Sequence, residues 1–546
     1  MPSDSYLSGP SLLPLIGQTL GQNLEATVAR VPDQDALIVR HQGFRATYRE
    51  LWALVGRAAR GLLGFGIEKG DRVGLWSPNR AEWVVLQFAT ARVGAILVNI
   101  NPAYRASELG YVLKQSGTRT LFLARGFRQS DYRAALADLT PRPEALRETV
   151  VLDDQWESFL AKGDGVPESA LAAREAKLEF DDPINIQYTS GTTGFPKGAT
   201  LTHHNILNNG FFIGERLRYT AADRVCIPVP FYHCFGMVLG TLACTTHGAC
   251  IVVPSEAFEP RRALEAVQAE RCTALYGVPT MFIAVLAEPT LSSFDVHTLR
   301  TGIMAGSPCP VEVMKQVQSV LHMPEVSICY GMTETSPVSA QTEPDAPFEK
   351  RVSTVGTVHP HLEVKVIDAE TGRILPCGSP GELCTRGYSV MRGYWTDPDA
   401  TALAIDAGGW MHTGDLATVS ADGYVNIVGR IKDTILRGGE NIYPREVEEF
   451  LHTHPGIEEA QVIGVPSVKY GEEVMAWVRL KPGVTLTDHE VIHYCRQKIA
   501  TYKIPRYVKV VESFPVTVTG KVQKFKMREQ SIAELGLEAA ANIKMA

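Results

Sequence analysis

The start of the chain has little of the pattern expected of an export signal, and the chain has few long apolar segments. Residues 1–5 do not show the positively charged start that precedes the apolar run of a secretory signal peptide. The most apolar long stretch, residues 236–253, is interrupted by three threonines and a histidine. We therefore predict a buried helix and strand there, because a membrane span needs about 20 predominantly apolar residues.

Positive charge is not in excess either. The formal net charge is −7 and the isoelectric point is about 6.1, so the overall charge provides no electrostatic attraction to nucleic acid or to an anionic membrane.

The 10 cysteines are scattered and include no Cys-x-x-Cys pair, which argues against a disulfide scaffold and predicts a reducing, cytoplasmic location. Those in apolar runs, such as Cys226, Cys250 and Cys329, are predicted to behave as small apolar side chains.

Two familiar nucleotide-binding patterns are missing. Residues 188–198 (YTSGTTGFPKG) resemble a phosphate loop, but a nucleotide-kinase loop needs Gly-Lys-Ser/Thr, and the lysine here stands between proline and glycine. Residues 64–70 (GFGIEKG) have the wrong glycine spacing for a dinucleotide fingerprint and precede a strand-like run instead of following one. The stretch at 188–198 still suits a phosphate chain, because its glycines let backbone N–H groups approach closely and its hydroxyls add neutral donors.

A second loop, more than 300 residues further along, carries a single lysine. Residues 515–521 (PVTVTGK) place Lys521 directly after a glycine. Two such loops at opposite ends of one chain predict an active site that is closed by two domains. An isolated Ser/Thr/Gly loop could equally be an ordinary turn, and Lys521 could be a solvated lysine of a basic tail.

The length and the hydrophobic pattern predict several domains. A chain of 546 residues exceeds what one hydrophobic core usually supports. Alternating strands and amphipathic helices imply parallel βαβ units in two series. The first series is strand 72–76, helix 81–92 and strand 95–99, and the second is strands 224–228 and 249–253, helix 260–270 and strand 274–276. Antiparallel strands are predicted at 363–368 and 381–385, followed beyond Lys432 by a compact α+β unit with helices 446–453 and 488–500 and strands 460–465 and 474–481.

A predicted hairpin brings two charged residues together. Asp422-Gly423 between alternating runs is a strong signal for a two-residue turn. Pairing 421 with 424 and counting outward places Asp415 opposite Arg430, with Cβ atoms roughly 4.5–5.5 Å apart. A β-bulge would break this register. The pair could be a structural ion pair or part of a binding site.

Several motifs occur in a fixed order along the chain, and together they resemble one family. They are residues 188–198, 330–334 (YGMTE), 413–415 (TGD), 429–433 (GRIKD), 437–441 (RGGEN) and the Lys521 loop. This set closely resembles the adenylate-forming, AMP-binding superfamily of acyl-CoA synthetases, luciferases and nonribosomal adenylation domains, over about residues 30–530. Residues 184–187 (INIQ) look most like medium-chain acyl-CoA synthetases of the family member two type.

The resemblance implies a fold, a reaction and a set of cofactors. The expected fold is α/β, with a large N-terminal domain (1–431) of two βαβ-type sheet subdomains plus a β-barrel-like subdomain, and a small mobile α+β C-terminal domain (432–546). The expected enzyme is an ATP-dependent acid–thiol ligase that makes acyl-CoA from a medium-chain fatty acid through an acyl-adenylate. Its partners would be a small carboxylic acid, ATP with Mg²⁺, and CoA, with no nucleic acid and with a homodimer left open.

The same resemblance implies roles for individual residues. Lys521 would stabilise the attack of the carboxylate on the α-phosphate, with Thr333 and Glu334 beside it and Glu334 holding Mg²⁺. Asp415 would accept the ribose hydroxyls with Arg430 in support, and Tyr330 would offer a flat face to the purine. The remaining nucleotide-binding residues would be Thr189, Ser190, Gly191, Thr192, Thr193, Gly194, Phe195, Pro196 and Lys197.

The second half-reaction and the acyl pocket complete the predicted site. By resemblance Lys432 would be the hinge of the small domain, with Gly438 and Gly439 lining the pantetheine tunnel. Residues 231–244 contain no carboxylate, which favours an uncharged acyl tail. The predicted pocket residues are His233, Met237, Gly306, Gly331 and Met332, each of which could also be plain core. Two other functions stay open, namely loading a separate carrier protein and a luciferase-like oxygenase reaction.

Overall fold

The computed structural model describes residues 4–189, 196–307, 309–438, 440–496, 498–517 and 520–541. Four helices in it begin with reciprocal capping boxes, in which a threonine hydroxyl accepts a backbone N–H and the side chain three residues on returns the bond. Within the described ranges, no helix combines the length and the apolar character that crossing a membrane requires.

The first sheet has seven strands, of which five are parallel neighbours. Their spatial order is Gly393–Tyr394, Lys197–Thr202, Pro183–Thr189, Ile96–Ile100, Arg72–Trp76, Thr120–Leu123 and Glu148–Val151. The helices of this region are Leu20–Arg30, Tyr48–Gly64, Ala81–Val93, Ala106–Ser116, Tyr132–Ala137, Leu152–Ala161 and Glu168–Glu175. A two-stranded ribbon, Gly126–Phe127 with Ser130–Asp131, lies apart from the sheet. The predicted parallel βαβ arrangement is confirmed.

One helix of this region differs from its prediction. The sequence predicts an amphipathic helix at 81–92, but every residue of Ala81–Val93 except Glu82 is buried. The helix contacts Tyr48–Gly64, Leu20–Arg30 and Glu168–Glu175, so other helices cover the sides that would otherwise meet water. A helix that is apolar on all sides is typically buried on all sides.

The second sheet has nine strands, and six of them form a parallel core. Their order is Thr357–Val358, Val338–Gln341, Glu325–Gly331, Thr301–Ala305, Ala274–Gly277, Arg224–Cys226, Cys250–Val253, Asp35–Val39 and Phe44–Thr47. The helices of this part are His203–Arg216, Ala243–His247, Pro260–Glu270, Pro279–Leu286, Val311–Val320 and Phe348–Ser353, with 3₁₀ turns at Arg40–Gln42, Leu291–Ser293 and Thr333–Thr335. The apolar stretch 236–253 falls in a buried π-helix, Phe235–Leu242, then a short helix and a strand, as predicted.

A third, antiparallel sheet follows. Its order is Tyr6–Ser8, Leu362–Ile367, Gly381–Gly387, Met411–Val419 and Val425–Arg430, with the helix Pro398–Ala404 beside it. The predicted strands at 363–368 and 381–385 are confirmed. The N-terminal strand Tyr6–Ser8 also joins this sheet, which no local sequence pattern indicates, because the pairing spans more than 350 residues.

The 3₁₀ turn Ile431–Asp433 connects this sheet to the C-terminal α+β unit. That unit orders its strands as Glu440–Ile442, Ile435–Arg437, Gly471–Leu480 and Ile457–Ser467, with Tyr507–Val510 parallel to Gly471–Leu480. Its helices are Pro444–His452, Asp488–Cys495, Lys524–Leu535 and Glu538–Ala541, with a 3₁₀ turn at Thr501–Lys503. The helix predicted over 488–500 ends early, because Arg496 adopts an extended conformation.

Candidate functional site

The site forms where parallel strands of the second sheet end. Tyr330 lies near the carboxyl end of Glu325–Gly331, Gly306 follows Thr301–Ala305, and Val278 follows Ala274–Gly277. These strands are consecutive neighbours, so the residues that follow them share one edge. Ligands of open α/β sheets bind at such carboxyl edges.

The predicted phosphate loop starts at the tip of a hairpin. Thr189 pairs with Lys197 at the end of the strands Pro183–Thr189 and Lys197–Thr202, and the Pro196 carbonyl accepts a bond of 3.1 Å from the Tyr111 hydroxyl. The Lys197 Nζ lies 5.0 Å from the ring centre of Tyr394. The other predicted residues of this loop, Ser190, Gly191, Thr192, Thr193, Gly194 and Phe195, lie outside the described residues.

Glu334 is a buried carboxylate beside this hairpin, with 5% of its surface exposed. Its Oε1 accepts hydrogen bonds from the Tyr394 hydroxyl at 2.9 Å and from Thr189 Oγ1 at 3.2 Å. Both donors are neutral, and burial together with Glu334 raises the pKa of Tyr394. Among the residues that the structure describes, none forms an ion pair with this carboxylate, which fits a role in holding a cation. Sequence reasoning missed Tyr394, because a single tyrosine 60 residues further along carries no signal of this contact.

Thr333 precedes Glu334 and is buried as well. Its Oγ1 lies 3.8 Å from the Sγ of Cys234. Burial raises the pKa of the Cys234 thiol to about 12, so this cysteine is not a nucleophile. Nine of the ten cysteines are buried thiols, which confirms their prediction as small apolar side chains.

Asp415 and Arg430 are directly opposite each other, as predicted. The hairpin differs from the predicted one in two ways, and the two differences cancel in the register. The loop has three residues, because Ser420 pairs with Tyr424 and Gly423 adopts a φ of 86°. That change alone would displace the register by one residue. A β-bulge between Leu416 and Ala417 restores it.

The Asp415 carboxylate has two partners. Arg430 Nε lies 3.1 Å from Oδ1, and the Tyr330 hydroxyl donates to Oδ2 at 2.7 Å. Burial and the Asp415 charge raise the pKa of Tyr330, so its hydroxyl keeps its proton as a donor. A partly exposed ion pair contributes only about 0–1 kcal/mol to stability, so its main effect here is orientation.

Lys521 reaches this group from the C-terminal unit. The Gly520 N–H donates to Thr517 O, and the Thr517 N–H donates to Lys521 O. Gly520 has a φ of 82°, and a Cβ added to it would lie 3.0 Å from Thr280 Oγ1 and 3.2 Å from Val278 Cγ2. Glycine is thus required both by the turn and by the contact with the second sheet.

The Lys521 ammonium is unusually acidic. Burial, together with the charges of Arg430 and Lys432, lowers its pKa to about 8, while the charge of Asp415 opposes the shift. The residue nevertheless keeps an exposed surface, because it lies in a cleft that is open to solvent but surrounded by protein. Solvent screening therefore reduces the contribution of this shift to stability.

His233 lies near Lys521. Its Nδ1 accepts a bond of 3.1 Å from the Phe235 N–H, which assigns the proton of the neutral ring to Nε2. Burial and the Lys521 charge lower the pKa of His233 to about 4. The imidazole is therefore neutral near pH 7.

The predicted acyl-pocket residues have different surroundings. Met237 is buried in the π-helix, where Asn99 Nδ2 approaches its sulfur at 3.5 Å. Met332 is half-buried, and Gly306 has a φ of 93°. A Cβ on Gly331 would lie 1.6 Å from Pro337 O, so backbone packing alone requires glycine there.

The residues predicted for the second half-reaction lie in the connection and the following hairpin. Lys432 is exposed in the 3₁₀ turn Ile431–Asp433. Gly438 follows the strand Ile435–Arg437 with a φ of 61°, and its N–H donates to Tyr470 O at 2.8 Å. Gly439 lies outside the described residues.

Comparisons with known proteins show the family of the chain. The pattern of the family described as AMP-binding enzyme matches residues 24–395, and that of the AMP-binding enzyme C-terminal domain matches residues 446–521. The chain is similar to the medium-chain acyl-CoA ligase ACSF2, mitochondrial, of Danio rerio, with 46% identity over 98% of this chain and 91% of that protein.

Solved structures show the same fold. ATP-bound MatB from Rhodopseudomonas palustris has a TM-score of 0.80 and 30% identity, covering 94% of this chain and 99% of that one. The anthranilate CoA ligase AuaEII in complex with anthranoyl-AMP has a TM-score of 0.85 and 26% identity, covering 96% and 99%.

The charges around Lys521 predict opposite effects of two substitutions. We expect the Lys521 pKa to be about 8 in the ligand-free protein, to fall in Asp415→Asn and to rise in Arg430→Gln, because these variants remove charges of opposite sign. The measurement is a pH titration by ¹³C NMR of the reductively methylated protein, with Lys521→Arg identifying the signal. Shifts of the same sign in both variants would contradict the geometry.

Proposed function

Because the chain belongs to the AMP-binding enzyme family and is an acyl-CoA synthetase, we propose that it activates a medium-chain fatty acid. ATP and the acid form an acyl-adenylate and pyrophosphate, and CoA then displaces AMP to give the thioester. The medium-chain preference is supported by the name of the ACSF2 relative and by the carboxylate-free stretch 231–244.

The observation that carries the proposal is the position of Lys521 near the Asp415–Arg430 pair, whose two charges shift its pKa in opposite directions. In adenylation a carboxylate attacks the α-phosphate, so two anions approach each other. A positioned ammonium between them stabilises the approach and the charge of the transition state. No general base is needed, because the nucleophile is already ionised.

The nucleotide is proposed to bind along the same edge. Asp415 accepts the ribose hydroxyls, Tyr330 packs against the purine, and the hairpin tip from Thr189 to Lys197 receives the phosphates. Glu334 would hold Mg²⁺, which fits because Mg²⁺ is commonly held by one or two protein carboxylates together with waters and phosphate oxygens. When bound, the ion neutralises phosphate charge.

The acyl tail is proposed to enter between His233, Met237, Gly306 and Met332. The neutral state of His233 supports an uncharged tail, because a cationic ring would be costly beside apolar groups. Gly331 lies next to Met332 and, because it has no side chain, leaves room for the acyl tail.

For the second half-reaction we propose that residues 432–546 move as one domain about Lys432. The strand before Ile431–Asp433 belongs to the antiparallel sheet, and the strands after it belong to the sheet of the C-terminal unit, which supports this boundary. After the movement Gly438 and Gly439 would line the path of the pantetheine.

We also propose a reducing, cytoplasmic setting, supported by the nine buried thiols. Whether the protein forms a homodimer is a matter for measurement.

An acid panel tests the function directly. We expect CoA-dependent AMP release and acyl-CoA formation to be fastest with octanoate or decanoate. Acetate, palmitate and aryl acids should be at least ~10-fold slower in kcat/KM, because a mismatched apolar pocket costs about 1–3 kcal/mol. AMP release without acyl-CoA, transfer only to a carrier protein, or oxygen consumption would favour the alternative reactions.

Lys521→Ala separates the two half-reactions. We expect adenylation, measured by pyrophosphate exchange, to fall by ~10²–10³-fold, which is the effect of removing one preorganised electrostatic group. Thioester formation from supplied acyl-AMP should persist. Lys526→Ala, at a neighbouring exposed lysine, is the matched control. An equal loss in both steps would count against the assigned role.

Lys432→Pro tests the hinge. A proline fixes φ near −65°, which suits the 3₁₀ turn of the present arrangement but restricts rotation to another. We expect adenylation to be spared and thioester formation to be lost, whereas Lys432→Ala retains both. Normal steady-state acyl-CoA production by a folded Lys432→Pro protein would place the hinge elsewhere.

A further inference from the structure

Three side chains of different chemistry converge on one face of the antiparallel sheet. Glu382 and Cys384 lie two positions apart on Gly381–Gly387, and His412 lies opposite Cys384 on Met411–Val419. One ligand atom of each, a carboxylate oxygen, a sulfur and a ring nitrogen, lies within 4.8 Å of the others. Among the described residues no other such group of three or more is present.

One of the separations matches that between two ligands of one metal ion. His412 Nδ1 lies 3.0 Å from Glu382 Oε2 and 3.7 Å from Cys384 Sγ. Bonds of about 2.0–2.1 Å to nitrogen and about 2.3 Å to sulfur place these two atoms about 3.6 Å apart in a tetrahedral site. The observed N···S distance therefore needs almost no adjustment.

Further groups lie beside two of the ligands. Asp406 Oδ2 lies 3.7 Å from His412 Nε2, which is longer than a hydrogen bond, whereas Glu382 and Cys384 contact Nδ1. Asp406 is fixed in turn by the N–H groups of Gly408 and Trp410. A carboxylate behind the second nitrogen is the usual support of a metal-bound histidine. Glu382 Oε1 accepts the Gly414 N–H at 3.2 Å, so Oε2 points to His412.

Charge and access also suit a divalent cation. Glu382 and Asp406 supply two negative charges, and the Cys384 thiol adds a third when a metal displaces its proton to solvent. The nearby cations are Lys365, which pairs with Cys384 across the sheet and lies 4.4 Å from the Trp410 ring centre, and Arg386, which lies 4.5 Å from the same ring centre and is paired with Glu363. Cys384 is fully buried, whereas 30% of the His412 side chain is exposed, which leaves an entry path and room for a water ligand.

We propose that Glu382, Cys384 and His412 form a zinc site, separate from the magnesium bound with ATP. Thiolate and imidazole ligands select zinc over magnesium, which prefers oxygen in octahedral geometry. The ion joins two strands of the sheet. Through Glu382 and the Gly414 N–H it also fixes the segment that carries Asp415.

The test is metal binding by the full-length protein without ATP. After treatment with a chelator, we expect the protein to take up one equivalent of Co²⁺ with a thiolate-to-cobalt charge-transfer band, and Zn²⁺ to displace it. Cys384→Ser should lose the band, and Glu382→Gln and His412→Gln should lose tight binding. Asp406→Asn should bind zinc ~10–100-fold more weakly, the usual effect of removing a supporting carboxylate.

Two controls separate this site from incidental binding. Cys377→Ser changes a half-buried cysteine, and His297→Gln changes an exposed histidine that lies 3.2 Å from Asp295. Both should keep the band and the one-to-one stoichiometry. Absence of the band in the wild type, or its persistence in Cys384→Ser, would overturn the proposal. If Cys384→Ser does not fold, retention of tight zinc binding by both folded Glu382→Gln and folded His412→Gln would do the same.

Discussion

The Asp415 carboxylate is the contact on which the arrangement of the site depends, because it joins two sheets and lies near a third part of the chain. Tyr330 comes from the second parallel sheet, Arg430 from the antiparallel sheet, and Lys521 from the C-terminal unit. The bond from the tyrosine contributes more to its position than the partly exposed ion pair, since a hydrogen bond to a charged group is worth about 1.5–3 kcal/mol and an exposed ion pair about 0–1 kcal/mol. The carboxylate thus stays fixed while Lys521 remains in an open cleft.

The two acidic residues of the site differ in their partners, and this difference separates their roles. Asp415 is paired with a guanidinium, so it can accept hydroxyl donors without placing an unbalanced negative charge near a phosphate chain. Glu334 is oriented by the neutral hydroxyls of Thr189 and Tyr394. Its charge is therefore left to balance a cation. Both carboxylates are held in place by groups from other elements, which is the kind of support that a preorganised site requires.

The antiparallel sheet connects the nucleotide site to the proposed zinc site. Glu382 contacts His412 with one oxygen and the Gly414 N–H with the other, and Gly414 precedes Asp415. Thr413 on the same segment donates to Leu383 O and accepts the Asp415 N–H. The segment before Asp415 is thus bound on one side to the neighbouring strand. Its position depends on that strand as well as on the bulge that follows.

The sequence by itself determined the family and the parallel strands, and it predicted the lysine and the two carboxylates as site residues, because these are carried by short motifs and local periodicity. It also placed Asp415 opposite Arg430, although a three-residue loop and a bulge were needed to give that result. Only the tertiary structure decided that Tyr394 binds Glu334, that helix Ala81–Val93 is buried all round, and that Gly331 is required by Pro337 O. The grouping of Glu382, Cys384 and His412 was likewise not visible in the sequence. Each of these depends on strand order and packing between distant segments, which neither spacing nor composition encodes.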